Sequence, residues 1–143
     1  MVLRTFLFLM MIAVSVSGMA QNGEQIFSKS FHADGKNHLQ LYLPGPVDLK
    51  VWNEASIRIE IGVTLPGGSP SLVKELANAG RYNMVSTTQD DLLRIDAPNA
   101  QKQIRLKGQP AQETYRFIVY LPSTMEVDIL PVNQLAAARV PQN

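Results

Sequence analysis

The chain has two histidines, His32 and His38, and they flank Asp34-Gly35. Imidazole nitrogens are zinc-type ligands, and a tight turn at Asp34-Gly35 would set the two rings opposite each other. They supply two ligands, Asp34 is the nearby third, and the chain has no cysteine. This spacing reads as a solvated turn and not as a metal centre. "GGSPS" at Gly67–Ser71 resembles the opening of a nucleophile elbow, but it lacks the closing glycine and precedes a helix start. It reads as a loop followed by a helix cap. Asp90 and Asp91 are adjacent, so on a strand they would point to opposite faces and could not act as an acid–base pair; a turn is expected there. No glycine-rich phosphate loop, EF-hand pattern or zinc-helix motif occurs. The expectation is a non-enzyme with no catalytic residue, no cofactor and no metal.

What remains is aromatic chemistry. The only tryptophan, Trp52, lies in "VDLKVWNEASIRIEIGV", Val47–Val63, where apolar residues hold the odd positions apart from one break at Asn53. Read as a hairpin, this stretch has three registers that keep the odd residues on one face. Opposing Val51 with Ile57 sets Lys50 against Arg58 and Asp48 against Glu60, both like-charged. Opposing Leu49 with Ile57 leaves Trp52 in the turn. Opposing Val51 with Ile59 pairs Lys50 with Glu60 and Trp52 with Arg58. The last is favoured, because it adds a cation–π contact of about 0.5–1 kcal/mol. Trp52, Arg58 and Tyr42 of the preceding strand then share the polar face. That trio is the candidate surface for a sugar or a partner protein. The alternative is that Trp52 covers the end of the hairpin.

The elements around these residues follow a period of two. Leu39, Leu41 and Leu43 alternate with polar or aromatic residues; so do Leu93 and Ile95, Ile104 and Leu106, and Val127 and Ile129. Pro44-Gly45-Pro46 is a turn, and "ADGKN" at Ala33–Asn37 carries the Asp-Gly pair of tight hairpins. One segment departs: Ser69 as N-cap, Pro70 at the first helical position and Gly80 at the C-terminal end bracket a stripe of Leu72, Val73, Leu76 and Ala77. Such a short helix persists only when docked. Glu113–Leu121 is apolar on its odd face and partly so on its even face, through Ile118 and Tyr120. It reads as a central strand with the helix on its second side. The expected fold is all-β, with mostly antiparallel sheets, sandwich-like or the start of a β-solenoid, and one short helix near residues 70–79.

The N-terminal "MVLRTFLFLMMIAVSVSGMA" has a basic start at Arg4, an apolar run and a small-residue end at Gly18-Met19-Ala20. That is the pattern of a secretory signal, and the run is shorter than a membrane span. The expected organisation is a signal peptide at 1–20, a single β domain at 21–133 and a flexible tail at 134–143. Export to the periplasm or cell exterior follows, with no membrane span after cleavage. Thirteen Lys and Arg stand against twelve Asp and Glu; Arg4 is the one charge in the signal segment, so the remainder is neutral and suits no nucleic acid. Without cysteine, an exported chain has no disulfide to lean on, and its core must carry the stability.

The order "VDLKVWNEASIRIEI", a short helix ending in "GRY", then "DLLRIDAP", "YRFIVYLPSTMEVDIL" and "PVNQ" resembles a bacterial family of exported proteins labelled "putative adhesin". The resemblance spans roughly residues 39–133. It implies a β-sandwich-like or β-solenoid fold and a role in adhesion or cell-envelope structure, and it brings no catalytic residues. Family members continue from a "VDI…VNG"-like segment into repeated β rungs. Here Gln134 replaces the glycine, and the rungs are expected to be missing. The strand around Val127 and Ile129 would then have an open edge, an expected place for self-association. The partners expected are another protein or a surface glycan. N-terminal sequencing of the exported protein should begin at Gln21; Met1 retained in a cytoplasmic fraction would refute the export reading.

Overall fold

In the computed structural model, residues 24–133 are described. The expected signal peptide and all of the expected tail lie outside them. The alternating apolar residues lie in ten strands: β1 (Gln25–His32), β2 (His38–Tyr42), β3 (Val47–Trp52), β4 (Ser56–Thr64), β5 (Val85–Gln89), β6 (Leu92–Asp96), β7 (Ile104–Leu106), β8 (Gln109–Ala111), β9 (Thr114–Pro122) and β10 (Glu126–Ile129). One helix, α1 (Pro70–Asn78), separates β4 from β5. The class is all-β. Two four-stranded sheets carry it, sheet A in the order β1-β4-β9-β3 and sheet B in the order β10-β2-β6-β5, with β7-β8 as a small hairpin.

Parity explains the core. The odd residues of sheet A, Ile57, Ile59, Ile61, Val63, Phe117 and Val119, are fully enclosed. They form one cluster with Leu39, Leu41, Leu93 and Ile95 of sheet B. Each sheet thus contributes one apolar face, as expected when two sheets stack about 10 Å apart. The Lys29 ammonium donates to the Met84 carbonyl at 2.8 Å, which sets β1 across from the entry to β5. Edge strands β3 and β10 therefore lie on the same open side of the sandwich.

Two pairings differ from the sequence expectation. Strands β3 and β4 form no hairpin, because β9 lies between them, antiparallel to β4 and parallel to β3. Val51 opposes Leu121 and Ile59 opposes Val119. Alternation fixes which face a strand buries and leaves its neighbours open. Placing β9 in the interior of the sheet gives Phe117 flanks on both sides, Val47 and Ile61. Likewise the Asp34-Gly35 turn is tight, with Lys36 N–H donating to the Ala33 carbonyl at 2.9 Å and φ positive at both residues. Yet it joins sheet A to sheet B instead of closing a hairpin: β1 pairs β4 and β2 pairs β6 and β10. The Asp90-Asp91 turn does close a hairpin, β5 on β6.

The helix caps match the sequence pattern. Ser69 Oγ accepts from Leu72 N–H at 3.1 Å, Pro70 occupies the first turn, and Gly80 takes φ +86°. The docking site does not match. Val73 is buried in the main cluster and Leu72, Leu76 and Ala77 pack against it, so α1 closes the odd side of sheet A beside β1 and leaves the even face of β9 uncovered. The turn between β2 and β3 needs its glycine, since a Cβ on Gly45 would lie 2.6 Å from the Tyr115 carbonyl oxygen.

Phe117 is the interior side chain on which both halves of sheet A converge. Phe117→Ala should cost about 3–5 kcal/mol in chemical denaturation, whereas Val51→Ala, on the exposed edge, should stay within about 0.5 kcal/mol. Equal effects would contradict the strand order.

Candidate functional site

Two groupings of polar and aromatic side chains stand out. The first is interior. Arg81, just past α1, donates from Nε to Glu113 Oε1 at 2.5 Å and from Nη1 and Nη2 to the carbonyls of Asn99 and Lys102 at 3.1 and 2.7 Å. Tyr82 donates its hydroxyl to Glu113 Oε2 at 2.6 Å, and the Tyr115 hydroxyl lies 3.0 Å from both Glu113 Oε1 and the Ala100 carbonyl. The Glu113 side chain is 2% exposed. Burial, and then the adjacent Glu113 carboxylate, hold both phenols well above the ordinary tyrosine value of 10.0. An open cavity of about 360 Å³ borders this hub between Arg81 and residues 100–113.

The two carboxylate oxygens of Glu113 accept from Arg81, Tyr82 and Tyr115, and the guanidinium spans two loop carbonyls. Its polar atoms are engaged within the chain, which ties the irregular 97–113 segment to α1 and β9. Rings continue the tie: Phe27 of β1 stacks on Tyr82 at 5.5 Å, and Tyr82 meets Tyr115 edge-on at 6.2 Å.

The second grouping is the outer, even face of sheet A. Trp52 and Tyr120 lie 5.4 Å apart, ring centre to ring centre. Lys50 Nζ sits 5.8 Å from the Tyr120 ring centre, and Arg58 is directly opposite Tyr120 on β4. Arg58 also pairs with Glu60 at 3.1 Å. The indole N–H donates to the Ser56 carbonyl at 2.9 Å, so Trp52 anchors the 53–55 turn as well as presenting a ring. The alternation that puts Val51 on the core side of the sheet puts Trp52 on the outer side. The helix that would have covered Tyr120 is elsewhere.

Of the expected trio, Trp52 and Arg58 share this face and Tyr42 does not. Tyr42 belongs to sheet B, is 3% exposed, and has the Arg94 guanidinium 5.6 Å from its ring centre. It cannot offer a platform. The residue that sequence reasoning missed is Tyr120, and its even position beside Ile118 on an otherwise apolar strand was the available signal. The histidines separate: His38 Nε2 lies 2.7 Å from Asp128 Oδ2 across β2 and β10, while His32 ends β1 in sheet A. Among the described residues no group of three His, Asp or Glu side chains converges for a metal. Asp90 and Asp91 serve the turn, the latter accepting the Asn37 N–H at 3.0 Å.

An aromatic pair flanked by two cations stacks on the apolar face of a sugar or on a partner's side chains, and it donates to hydroxyls or carboxylates.

No protein-family model matches the chain, and no curated protein matches it. Among solved structures, it is similar to a "putative cell adhesion protein" from Clostridium sporogenes ATCC 15579, at 12% identity and a TM-score of 0.42. The match covers 75% of this chain and 46% of that one, a likeness too low to carry function across. Among the described residues, no helix is long and apolar enough to cross a membrane.

The hub makes two predictions. Glu113→Gln leaves the Arg81 charge buried without its counter-ion and should lower unfolding free energy by about 3–5 kcal/mol. The phenols have folded pKa values above their unfolded value, so their contribution is complete below about pH 10 and declines as pH rises beyond it. Urea unfolding followed from pH 8 to 11 should show stability falling above pH 10; a flat profile would mean that the phenols are free to ionise in the folded protein.

Proposed function

We propose that this chain is a non-catalytic, exported interaction domain, adhesin-like or structural in the cell envelope, whose contact surface is the outer face of sheet A. The observation that carries the proposal is the Trp52–Tyr120 pair standing between Lys50 and Arg58 on a face that no helix or sheet of the described residues covers. Rings of this kind concentrate binding energy where they are pre-ordered, and Trp52 is held by the Ser56 carbonyl. The charged and phenolic groups of the interior hub bond to one another. Export rests on the N-terminal segment, and the role in adhesion on the resemblance in residue order.

The partner is a protein of the envelope or of another cell. A second reading, a carbohydrate-binding module, draws on the tilt of the two rings, 38° between planes, which makes a shallow cradle for a pyranose. Binding of the purified protein to intact cells, together with a glycan array read by Trp fluorescence, tests both. Trp52→Ala and Tyr120→Ala should each weaken cell binding tenfold or more while the β-sheet circular dichroism spectrum is retained. Quenching by a defined glycan selects the carbohydrate reading. Cell binding indifferent to both substitutions refutes this surface.

A further inference from the structure

The open side of the sandwich carries exposed apolar residues that belong to the core face: Leu49 and Val51 of β3, 43% and 67% exposed, and Ile129 of β10, 48% exposed. On β3 the backbone is half used. The Pro46 carbonyl accepts from Phe117 N–H at 2.9 Å, so the even residues bond to β9. By alternation, the N–H and C=O groups of Val47, Leu49 and Val51 point away from the sheet. A free ladder edge beside exposed apolar side chains is a template for another strand.

We infer that β3 pairs antiparallel with β3 of a second copy of this chain, about a two-fold axis through Leu49, joining the two A sheets into one. The sequence "VDLKVW" is self-complementary in that register. Leu49 meets Leu49 and Val47 meets Val51, and these are the outward-facing residues, so each pair exchanges its backbone hydrogen bonds. Between them, Asp48 meets Lys50 of the second copy, twice by symmetry. These fall at the non-hydrogen-bonded positions, where side chains approach most closely. Both are exposed and lie on the same outer face. A one-residue shift would put the core-facing residues of one copy on the outer face of the other. The interface is isologous and closes at two copies.

The other open edge, β10, argues against itself. With Val127 on the axis, Glu126 meets Asp128; with Asp128 on the axis, it meets its own copy. Both registers set acid against acid, and with Ile129 on the axis Asp128 meets Leu130, so no register of β10 pairs opposite charges as that of β3 does. The self-association expected at the terminal strand is therefore assigned to β3. It stands independently of the proposed function, because its readout is oligomeric state and not ligand binding.

Sedimentation equilibrium of the purified exported protein should fit a monomer–dimer equilibrium. Asp48→Lys and Lys50→Glu each place like charges at both symmetric positions and should weaken the dimer on the order of tenfold. Mixed in equal amounts, the two variants should associate with each other in preference to themselves, since lysines then face acids at both positions. Leu49→Pro removes an N–H that bonds to none of the described residues, so it should abolish the dimer while leaving the circular dichroism spectrum and melting profile intact. A wild-type monomer at millimolar concentration would overturn the inference. So would a dimer indifferent to the charge exchange, or a concentration-dependent ladder of larger species from head-to-tail pairing.

Discussion

The architecture depends on the insertion of β9 between β3 and β4. Phe117 and Val119 reach complete burial because they have apolar neighbours on both sides, Val47 and Leu49 on one and Ile61 and Ile59 on the other. At about 25 cal/mol per Å² of apolar surface removed from water, an interior strand contributes more than the same strand at an edge. The cost is topological. β9 must return from the 65–113 stretch of intervening chain to pair with strands laid down earlier, a long-range closure that local turns cannot supply.

That closure explains the polar hub. The segment between β6 and β9 has little regular structure beyond the β7-β8 hairpin, and its carbonyls need partners if it is to lie against the core. Arg81 satisfies two of them, from Asn99 and Lys102, while its charge is met by Glu113 at the entrance to β9. A guanidinium is suited to this because its donors form a rigid fork. Tyr82 and Tyr115 fill the remaining acceptor positions of the carboxylate and join the ring series from Phe27 to Phe117. The pair thus fixes where β9 begins, and the register of Thr114 against Thr64 follows.

The all-β class, the helix from Ser69 to Gly80 and the odd-numbered core were legible from period and punctuation alone, because each is a local property. Strand neighbours were not. Val51 and Ile59 face the core whether they pair with each other or each flank β9, so the alternation is silent on the choice, and the charge pairs that favoured a hairpin are worth only about 0.2–1 kcal/mol each. Against the burial of Phe117, that preference is small. The same limit applied to the site. Trp52 was conspicuous as an aromatic on the polar beat, and Arg58 shares its face, but Tyr120 was hidden within an apolar strand. Tyr42 has the same parity as Trp52 and a different fate, because a residue's face depends on the sheet to which its strand is assigned.

The division between inner and outer faces also decides where function can reside. The odd residues of β2, β4, β6 and β9 are committed to the core, and the hub's donors and acceptors are bonded to one another. Freedom is left on the even face of sheet A and along the edge of β3. These two regions share a strand: Lys50 stands over Tyr120 on the face and beside Asp48 on the edge. A second copy paired at β3 would carry its own Trp52–Tyr120 pair on the same side of the joined sheet, since a two-fold axis perpendicular to a sheet preserves which face is outward. Two aromatic sites on one continuous surface would bind a repetitive partner more tightly than either alone, without any new contact. In this arrangement, edge pairing supplies the avidity that a small, shallow site lacks.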